Sequence, residues 1–486
     1  MSYKVRIYYI CFFLILFLLA PKVLLAELNS TFGNVENYCD LSFSDAKKIK
    51  IKNIKKIKIN VNNNKKWIKN SLNIIRLKKK SIPEKYKKNF SGNIELFTTN
   101  NVNCKFVSKI RQHGDWKDHI GFKNGKFKHS LDVSLNTGNI LGITNFKLFL
   151  PETRNYENEV IFTNILKQLG YLVPRTFFVN VEFMGNTFQM ILQEKISKEF
   201  LEYNKLREAP ILEGDEKLLW SNSKDMISQD KDNVSLARLE NSNWVTNLFT
   251  SKIASDALTK LNFVYFKYLS TNGSSFSSSK ILNLDNDLLS DNNKDHKLYL
   301  DIFDIIMLSA DGYHGLIEHN RKFYYNPLNN FFYPIYYDGD INLKINNFYG
   351  TLFIEDDFAI EEAVKRLKKI DLENLNKEIS NSNLEINNEI IFNYLQNLII
   401  NIKKLKEKLA KKNIIHDKNF RDYYETKNTN NVLTSYYSSD LNMIYLCEEN
   451  LYKCKKKIVD NKTIQKLFSQ RLEINIKDVI FLGKIN

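Results

Sequence analysis

The stretch that most constrains the fold runs from Asp301 to Asp340 and reads DIFDIIMLSADGYHGLIEHNRKFYYNPLNNFFYPIYYDGD. An apolar helical run ends at Asp311, and two short aromatic runs follow Asn320, the second closing on Asp338-Gly339-Asp340. If the aromatic runs are strands joined by a turn, Asp311, Asn320 and Asp338 lie at one edge of a hairpin. Two carboxylates and an amide suit Mg²⁺ and phosphate chemistry, although Asp and Asn also occur as plain turn residues. Both readings are open at this point.

A second informative stretch, residues 141–196, predicts a strand, a loop, a helix and two further strands. The helix is expected to begin near residues 155–157 and to end at Gly170, with Pro174 beyond it. The two strands, Phe177–Phe183 and Phe188–Gln193, are separated by Met184-Gly185-Asn186, which is typical of a hairpin turn. Four charged residues lie at strand or loop ends, where they could meet a phosphate chain or remain solvated: Lys147, Arg154, Glu194 and Lys195.

Elsewhere the patterns are simpler. Alternating apolar residues predict strands in 48–61, and we expect the β-rich pattern to continue through Trp67–Ile74 and Ile94–Phe97. Further elements are a strand at Ser130–Leu135, helices at Ile253–Leu261 and Ile390–Leu409, loops in 197–250 and an acidic loop at Asp285–Asp295. The segment Arg111–Ile120 contains His113, Asp115 and His119. This indicates either a polar loop or a metal site, although the three residues lack the helical spacing of a metalloprotease motif.

The positive charge is confined to one segment. The whole chain of 486 residues has a net charge of +16, and residues 47–88 alone contain 16 Lys and one Arg against one Glu. The remainder is therefore neutral. Since no nucleic-acid motif accompanies the lysines, the segment is interpreted as a solvated face of a sheet and not as a nucleic-acid site.

The N-terminus predicts export. Lys4 and Arg6 precede an apolar run to Ala20, and Ala26 ends a signal-like region of residues 1–26. The run is short for a membrane span, although an uncleaved signal anchor is an alternative, and no span is expected in the mature chain. Four cysteines follow the signal, which permits two disulfides in an oxidising compartment. Proximity favours Cys39 with Cys104 and Cys447 with Cys454, although the other pairings stay open.

With these stretches in place, the chain resembles the CotH family of spore-coat kinases over roughly residues 105–345. The shared features, in order, are Phe146-Lys147-Leu148, Arg154-Asn155, Val173-Pro174-Arg175, Met184-Gly185-Asn186, Gln193-Glu194-Lys195, Asp311, Asn320, Tyr324 and Tyr337-Asp338-Gly339-Asp340. The chain departs from the family at Asp132 and Ser134, where basic residues are common, and in a longer spacing between Asp311 and Asn320.

The resemblance implies an α+β, two-lobed, atypical protein-kinase-like fold with an N-terminal β-rich layer and a helical C-terminal part. The expected divisions are a signal peptide (1–26), a basic β-rich segment (27–104), a kinase-like core (105–345) and a mainly helical region (346–486). It also implies an exported, periplasmic or extracellular enzyme that transfers the γ-phosphate of ATP to Ser or Thr of a protein. By this resemblance Asp311 is the catalytic-loop aspartate, Lys147, Arg154 and Glu194 serve the nucleotide, and Asn320, Asp338 and Asp340 hold Mg²⁺ or Mn²⁺.

Two other functions compete with the kinase. The first is an inactive surface or scaffold protein that keeps the fold for binding. The second is a metal-dependent phosphohydrolase that uses Asp338 and Asp340 as paired ligands, with His314 and His319 nearby in the sequence. The protein substrate cannot be named from the sequence.

Overall fold

The computed structural model describes residues 38–39, 49–78, 80–99, 103–123, 126–214, 237–271, 284, 286–317, 320–344, 357–427, 434–438, 443–447 and 454–458. The predicted signal peptide lies outside these residues. The described chain combines helices and strands and is therefore α+β. Among the described helices, none has both the length and the apolar character needed to cross a membrane.

The strands in chain order are β1 (Tyr38–Cys39), β2 (Ile54–Val61), β3 (Phe90–Thr98), β4 (Asn103–Gln112), β5 (Ile120–Lys123), β6 (Lys126–His129), β7 (Leu131–Leu135), β8 (Asn145–Phe149), β9 (Thr176–Phe183), β10 (Asn186–Glu194), β11 (Ile211–Gly214), β12 (Ala237–Leu239), β13 (Lys322–Asn326), β14 (Phe331–Ile335), β15 (Thr434–Ser438), β16 (Met443–Cys447) and β17 (Cys454–Ile458). The α-helices are α1 (Asn64–Arg76), α2 (Glu157–Gln168), α3 (Lys198–Tyr203), α4 (Leu248–Thr271), α5 (Asn286–Leu289), α6 (Lys294–Ser309), α7 (Asp357–Lys368), α8 (Leu372–Asn381) and α9 (Asn388–Lys427).

The N-terminal half is organised around a sheet that closes on itself. Its strands follow the order β4-β3-β2-β9-β10-β8-β7, and β7 pairs in turn with β4. All pairings in this barrel are antiparallel except that of β2 with β9. Alternate residues of each strand face inward and form one apolar core, to which fully buried residues such as Phe146 and Leu148 each contribute about 1.5–3 kcal/mol.

The expectation of a strand at Trp67–Ile74 is wrong, because this segment is part of helix α1. The Asn63 side chain accepts a hydrogen bond from the backbone N–H of Lys66 at 3.0 Å and so caps the helix. Its buried residues are Trp67, Ser71 and Ile74, spaced four and three apart as on one helical face. Trp67 packs into the barrel core, so α1 covers the barrel and the basic segment is only partly sheet.

The C-terminal half joins a small sheet to a helical core. The sheet has the order β12-β11-β13-β14, and β13 and β14 form the hairpin expected from the two aromatic runs. Helix α2, which follows the barrel strand β8, packs with α6, α7, α8 and α9 in one apolar cluster. The helices expected in 155–170, 253–261 and 390–409 are confirmed as α2, α4 and α9. Short elements α3, β11, β12 and α5 replace parts of the loops expected in 197–250 and 285–295.

Two of the expected divisions need correction. The boundary at residue 104 falls inside β4, and β2 and β3 belong to the same closed sheet as β7 to β10, so residues 54–98 are not a separate layer. The mainly helical region after residue 346 also contains the three-stranded sheet β15-β16-β17.

The strand registers bear on the cysteines. Cys39 lies opposite Cys104 in the pairing of β1 with β4, and Cys104 is disulfide-bonded. Cys447 lies opposite Cys454 in the pairing of β16 with β17. Both register pairs are those that proximity in the sequence favours.

Candidate functional site

Lys147 lies on the outer surface of the barrel, where the barrel meets the hairpin. Because Phe146 and Leu148 of β8 point into the barrel core, strand alternation turns Lys147 outward. The residue is nevertheless buried, and its Nζ donates a hydrogen bond to the Tyr337 hydroxyl at 2.6 Å. Among the described residues, no carboxylate forms an ion pair with this amine. Burial lowers the pKa of Lys147 to about 8, although Asp132 opposes this shift.

Arg154 and Asp338 form a buried ion pair beside Lys147. Arg154 ends a 3-10 turn, Pro151–Arg154, and its guanidinium lies 4.0 Å from the centre of the Phe149 ring. Its Nη2 is 2.9 Å from Oδ1 of Asp338, with 8% and 21% of the two side chains exposed. Burial alone would raise the pKa of Asp338, but Arg154 and then His314 outweigh it and hold this pKa at about 2. Asp338 is therefore ionised at every physiological pH.

The 3-10 turn after α6, Gly312–Leu316, fixes the backbone that carries Asp338. A Cβ on Gly315 would lie 2.8 Å from the Tyr337 carbonyl oxygen, so the close approach of the two segments requires glycine. Asn320 is held to the same turn, because its Nδ2 donates to the His314 carbonyl at 3.0 Å. The turn therefore contacts both ends of the hairpin, through the His314 carbonyl at Asn320 and through Gly315 at Tyr337, and Asp311 begins this turn.

The backbone at this point is unusual. Asp311, Asp338 and Asp340 all have positive φ angles, of 58°, 47° and 53°, and so do Asn155 and Tyr156 at 48° and 57°. Asp and Asn tolerate the left-handed region better than other non-glycine residues. Residues in such conformations tend to cluster at functional sites, where neighbouring structure holds them in place.

Two of the predicted site residues do not join the others. Register places Gln193, and not Glu194, opposite Lys147 in the pairing of β10 with β8. Glu194 instead accepts from Nε of Arg175 at 2.7 Å, so its carboxylate is used at the end of the barrel. Asp340 is exposed, and its Oδ1 accepts from Asn155 Nδ2 at 2.9 Å, which ties the hairpin exit to the start of α2.

Asp132 is a site residue that the sequence interpretation did not assign. It lies opposite Lys147 in the pairing of β7 with β8, and its carboxylate pairs with Arg111 at 2.8 Å and with Lys195 at 3.3 Å. Burial would raise its pKa, but Lys195 and Arg111 outweigh burial and lower it. The alternation of Leu131, Asp132 and Val133 could have placed this acid on the same outer face as Lys147.

Glu159 was also missed. It lies in the first turn of α2, is fully buried, and accepts from the Tyr336 hydroxyl at 2.6 Å and from Gln193 Nε2 at 2.8 Å. Burial raises its pKa, against the attraction of Arg154. Glu159 thus links the barrel, α2 and the hairpin, and no spacing in the sequence singles it out.

A buried charged cluster supports the site from the small sheet. Lys322 of β13 pairs with Glu213 of β11 and with Glu240, which is 3.2 Å away. The ring of Tyr337 lies close to two ammonium groups, with Nζ of Lys322 at 4.4 Å and Nζ of Lys147 at 4.6 Å from its centre. Burial and the neighbouring Glu240 raise the pKa of Glu213, while Lys322 keeps Glu240 ionised. Tyr337 is therefore contacted by both amines.

The donors fit a divalent ion only in part. In the described parts of the chain, no three His, Cys, Asp or Glu side chains converge as a metal site, and this includes His113, Asp115 and His119. Mg²⁺ often binds one or two carboxylates together with substrate phosphates and water. An ionised Asp338 and the amide of Asn320, both of which approach His314, fit that shared mode, whereas a site built from protein ligands alone does not fit.

Comparisons with known proteins add little. No protein-family model and no curated protein matches the chain. The chain is similar to one in a solved structure of the HipA and HipB toxin–antitoxin system of Shewanella oneidensis MR-1 with its operator DNA, at 12% identity and a TM-score of 0.25. The match covers 61% of this chain and 63% of that chain. A TM-score this low does not establish a common fold.

Proposed function

We propose that the chain is an exported, CotH-like atypical kinase that transfers the γ-phosphate of ATP to a hydroxyl group of a protein. The observation that carries the proposal is the meeting of Lys147 with the Tyr337–Asp338 segment, 190 residues further along the chain. A buried amine without a carboxylate partner among the described residues, beside Arg154 and an ionised Asp338, suits a polyphosphate that brings its own negative charge. The barrel and the helical part would then be the two lobes of a kinase-like fold.

The roles of the residues follow from their placement. Lys147 and Arg154 bind phosphate oxygens, and binding would draw Lys147 from the Tyr337 hydroxyl and Arg154 in part from Asp338. Asp338 and Asn320 hold Mg²⁺ or Mn²⁺, which when bound offsets charge on the transferred phosphoryl group. Glu194 is left out of this set because Arg175 occupies its carboxylate, and Asp340 serves the backbone between the hairpin and α2.

Asp311 is the proposed catalytic base. It begins the 3-10 turn that carries His314, and His314 Nε2 lies 3.8 Å from Oδ2 of Asp338. From there Asp311 would orient the attacking hydroxyl and accept its proton. The hydroxyl oxygen forms a bond to the γ-phosphorus as the bond from that phosphorus to the leaving ADP oxygen breaks.

Isothermal titration of ATP with and without Mg²⁺ tests the proposal on purified wild-type protein. Asp338→Asn should weaken ATP binding and remove its metal dependence, whereas Asp311→Asn should leave binding within about twofold and abolish turnover. Asp357→Asn, an exposed acid at the start of α7, is the matched control and should behave as wild type. Wild-type protein that binds no ATP in either condition would refute the proposal.

The scaffold function is the second candidate, and one contact favours it. The carboxylate of Asp338 already pairs with Arg154 at 2.9 Å, which is a self-contained arrangement that needs no ligand. A scaffold predicts no ATP-dependent thermal shift and no difference between wild type, Asp338→Asn and Asp311→Asn. The phosphohydrolase function instead predicts release of inorganic phosphate without labelled protein.

A further inference from the structure

The loop between β4 and β5 brings two imidazoles to the candidate site. Gln112 Nε2 donates to the carbonyl oxygens of His113 and His119, both at 3.1 Å, and so sets the shape of the loop. The two imidazole rings are 5.4 Å apart, and His113 lies 5.0 Å from the Phe149 ring. The Arg154 guanidinium lies 4.0 Å from the centre of the same Phe149 ring, so the loop and Arg154 contact one aromatic side chain.

The position of the His119 ring is tightly determined. A Cβ on Gly114, whose φ is +100°, would lie 2.1 Å from Cδ2 of His119, so the loop backbone lies directly against the ring. His119 Nδ1 is 2.9 Å from the Ser130 hydroxyl, which also accepts from the backbone N–H of Leu150 at 3.1 Å. The Ser130 hydroxyl hydrogen has no other acceptor among the described residues, so we assign it to Nδ1 of His119.

This assignment leaves the second ring nitrogen as a hydrogen-bond donor. With Nδ1 as acceptor, a neutral imidazole carries its proton on Nε2. No described residue hydrogen-bonds Nε2, although the residue is only 7% exposed. Burial and, to a smaller extent, Arg154 lower the pKa of His119 to about 3, whereas Asp338 and Asp115 oppose this shift. The ring is therefore neutral, and Arg154 and Asp338 of the candidate site are among the charges that act on it.

We propose that His119 donates a hydrogen bond from Nε2 to the phosphate chain of the nucleotide, as a ligand-contacting residue in addition to Lys147 and Arg154. The inference rests on the proposed function for its ligand class. Its basis is the juxtaposition of a fixed, buried imidazole lacking a described partner at Nε2 with the Arg154–Asp338 pair. The sequence of Arg111–Ile120 indicated either a metal site or a polar loop. Under this inference the segment is a polar loop that binds phosphate.

Matched variants test the role of the ring nitrogen. His119→Phe keeps a ring against Gly114 and His113 but has no donor, and His119→Gln restores an N–H near the place of Nε2. For inorganic tripolyphosphate and for ATP, the Phe variant should raise Kd roughly tenfold, and the Gln variant by less than about threefold. Adenosine binding should be unchanged in both variants. His296→Phe, a buried histidine bonded to the Phe332 carbonyl away from the site, should bind all three ligands as wild type does.

A second measurement uses only wild-type protein, so it does not depend on whether a variant folds. In wild-type protein labelled with ¹⁵N-histidine, titration with tripolyphosphate should shift the Nε2 resonance of His119 and leave that of His296 in place. An unmoved His119 resonance, or wild-type affinity of His119→Phe for tripolyphosphate, would overturn the inference even if the enzyme transfers phosphate. Tripolyphosphate binding that depends on His119, in a protein that labels no substrate, would instead uphold the inference and count against the kinase function. Wild-type protein that binds no tripolyphosphate would overturn the inference, and wild-type protein that binds neither tripolyphosphate nor ATP would overturn the proposed function as well.

Discussion

Replacing Lys147 by Met should stabilise the protein at pH 7 while it removes nucleotide binding. The amine is buried and has no carboxylate partner among the described residues, and its pKa is about 8 where an exposed lysine has 10.5. Holding the proton on this amine at pH 7 therefore costs about 3 kcal/mol relative to the unfolded chain. Loss of the Tyr337 hydrogen bond offsets about 1 kcal/mol of the gain, which leaves a net stabilisation of about 2 kcal/mol.

The pH dependence gives this prediction its sign. A lysine whose pKa is lower in the folded state destabilises the fold fully below pH 8, and the penalty fades as pH rises from 8 towards 10.5. Wild type should therefore gain stability relative to Lys147→Met across that window. Thermal unfolding followed by Trp fluorescence at pH 7 and at pH 10 measures the difference, which should favour the variant by several °C at pH 7 and shrink or reverse at pH 10.

Lys195→Met is the matched control, because its amine is paired with the buried Asp132 at 3.3 Å. Removing one partner of a buried acid should destabilise the protein at pH 7, so the two lysine variants should shift Tm in opposite directions. Two results would refute the idea that the protonated amine of Lys147 destabilises the fold. One is a lower Tm for Lys147→Met than for wild type at pH 7, and the other is a difference in Tm between them that stays the same at pH 7 and pH 10.

Three further changes probe the surrounding structure. Asn63→Ala removes the cap of α1 and should cost about 1 kcal/mol, visible as a lower urea midpoint with unchanged slope; an unchanged midpoint would argue against the cap. Cys104→Ser removes a disulfide and should cost about 2–5 kcal/mol, so its Tm should fall below that of oxidised wild type. If the variant, the oxidised wild type and the reduced wild type all had the same Tm, the prediction would be contradicted. Gly315→Ala forces a Cβ to within 2.8 Å of the Tyr337 carbonyl and should lower both Tm and ATP affinity, and wild-type behaviour would show that the two segments separate freely.

The parts of the fold that followed from sequence are those with one dominant period and a clear terminator. Helix α2 was placed correctly because its apolar residues repeat at helical spacing and Gly170 ends it. The hairpin β13–β14 was placed correctly because two aromatic runs flank a turn. Helix α1 was misread because Trp67, Ile68, Leu72 and Ile74 also fit an alternating pattern, and only the Asn63 cap and the buried Ser71 reveal the helical face.

The sequence motifs predicted several residues of the candidate site individually, but not the contacts between them. Lys147, Arg154 and Asp338 were proposed separately, and the structure brings them together. Glu194 lies apart from Lys147 because its neighbour Gln193 occupies the outer face of β10, a matter of register that composition does not reveal. Asp132 could have been placed on the outer face from the alternation of Leu131, Asp132 and Val133, but its position opposite Lys147 depends on the register of β7 with β8.

The histidine loop and Glu159 were out of reach for the same reason. His119 owes its fixed ring to Gly114 and Ser130, which lie five residues before it and eleven residues after it. Glu159 owes its burial to Tyr336, which is 177 residues away. Side-chain contacts of both kinds follow only from the folded arrangement.

Transfer of ³²P from γ-labelled ATP tests the central claim most directly. Purified wild-type protein with Mg²⁺ or Mn²⁺ should label itself or an added protein, and EDTA should abolish the labelling. Asp338→Asn and Asp311→Asn should each reduce the label by at least about a hundredfold while retaining the wild-type circular dichroism spectrum. Wild-type protein that labels no protein with either metal, or equal labelling by wild type and Asp338→Asn, would contradict the assignment of this site to phosphotransfer.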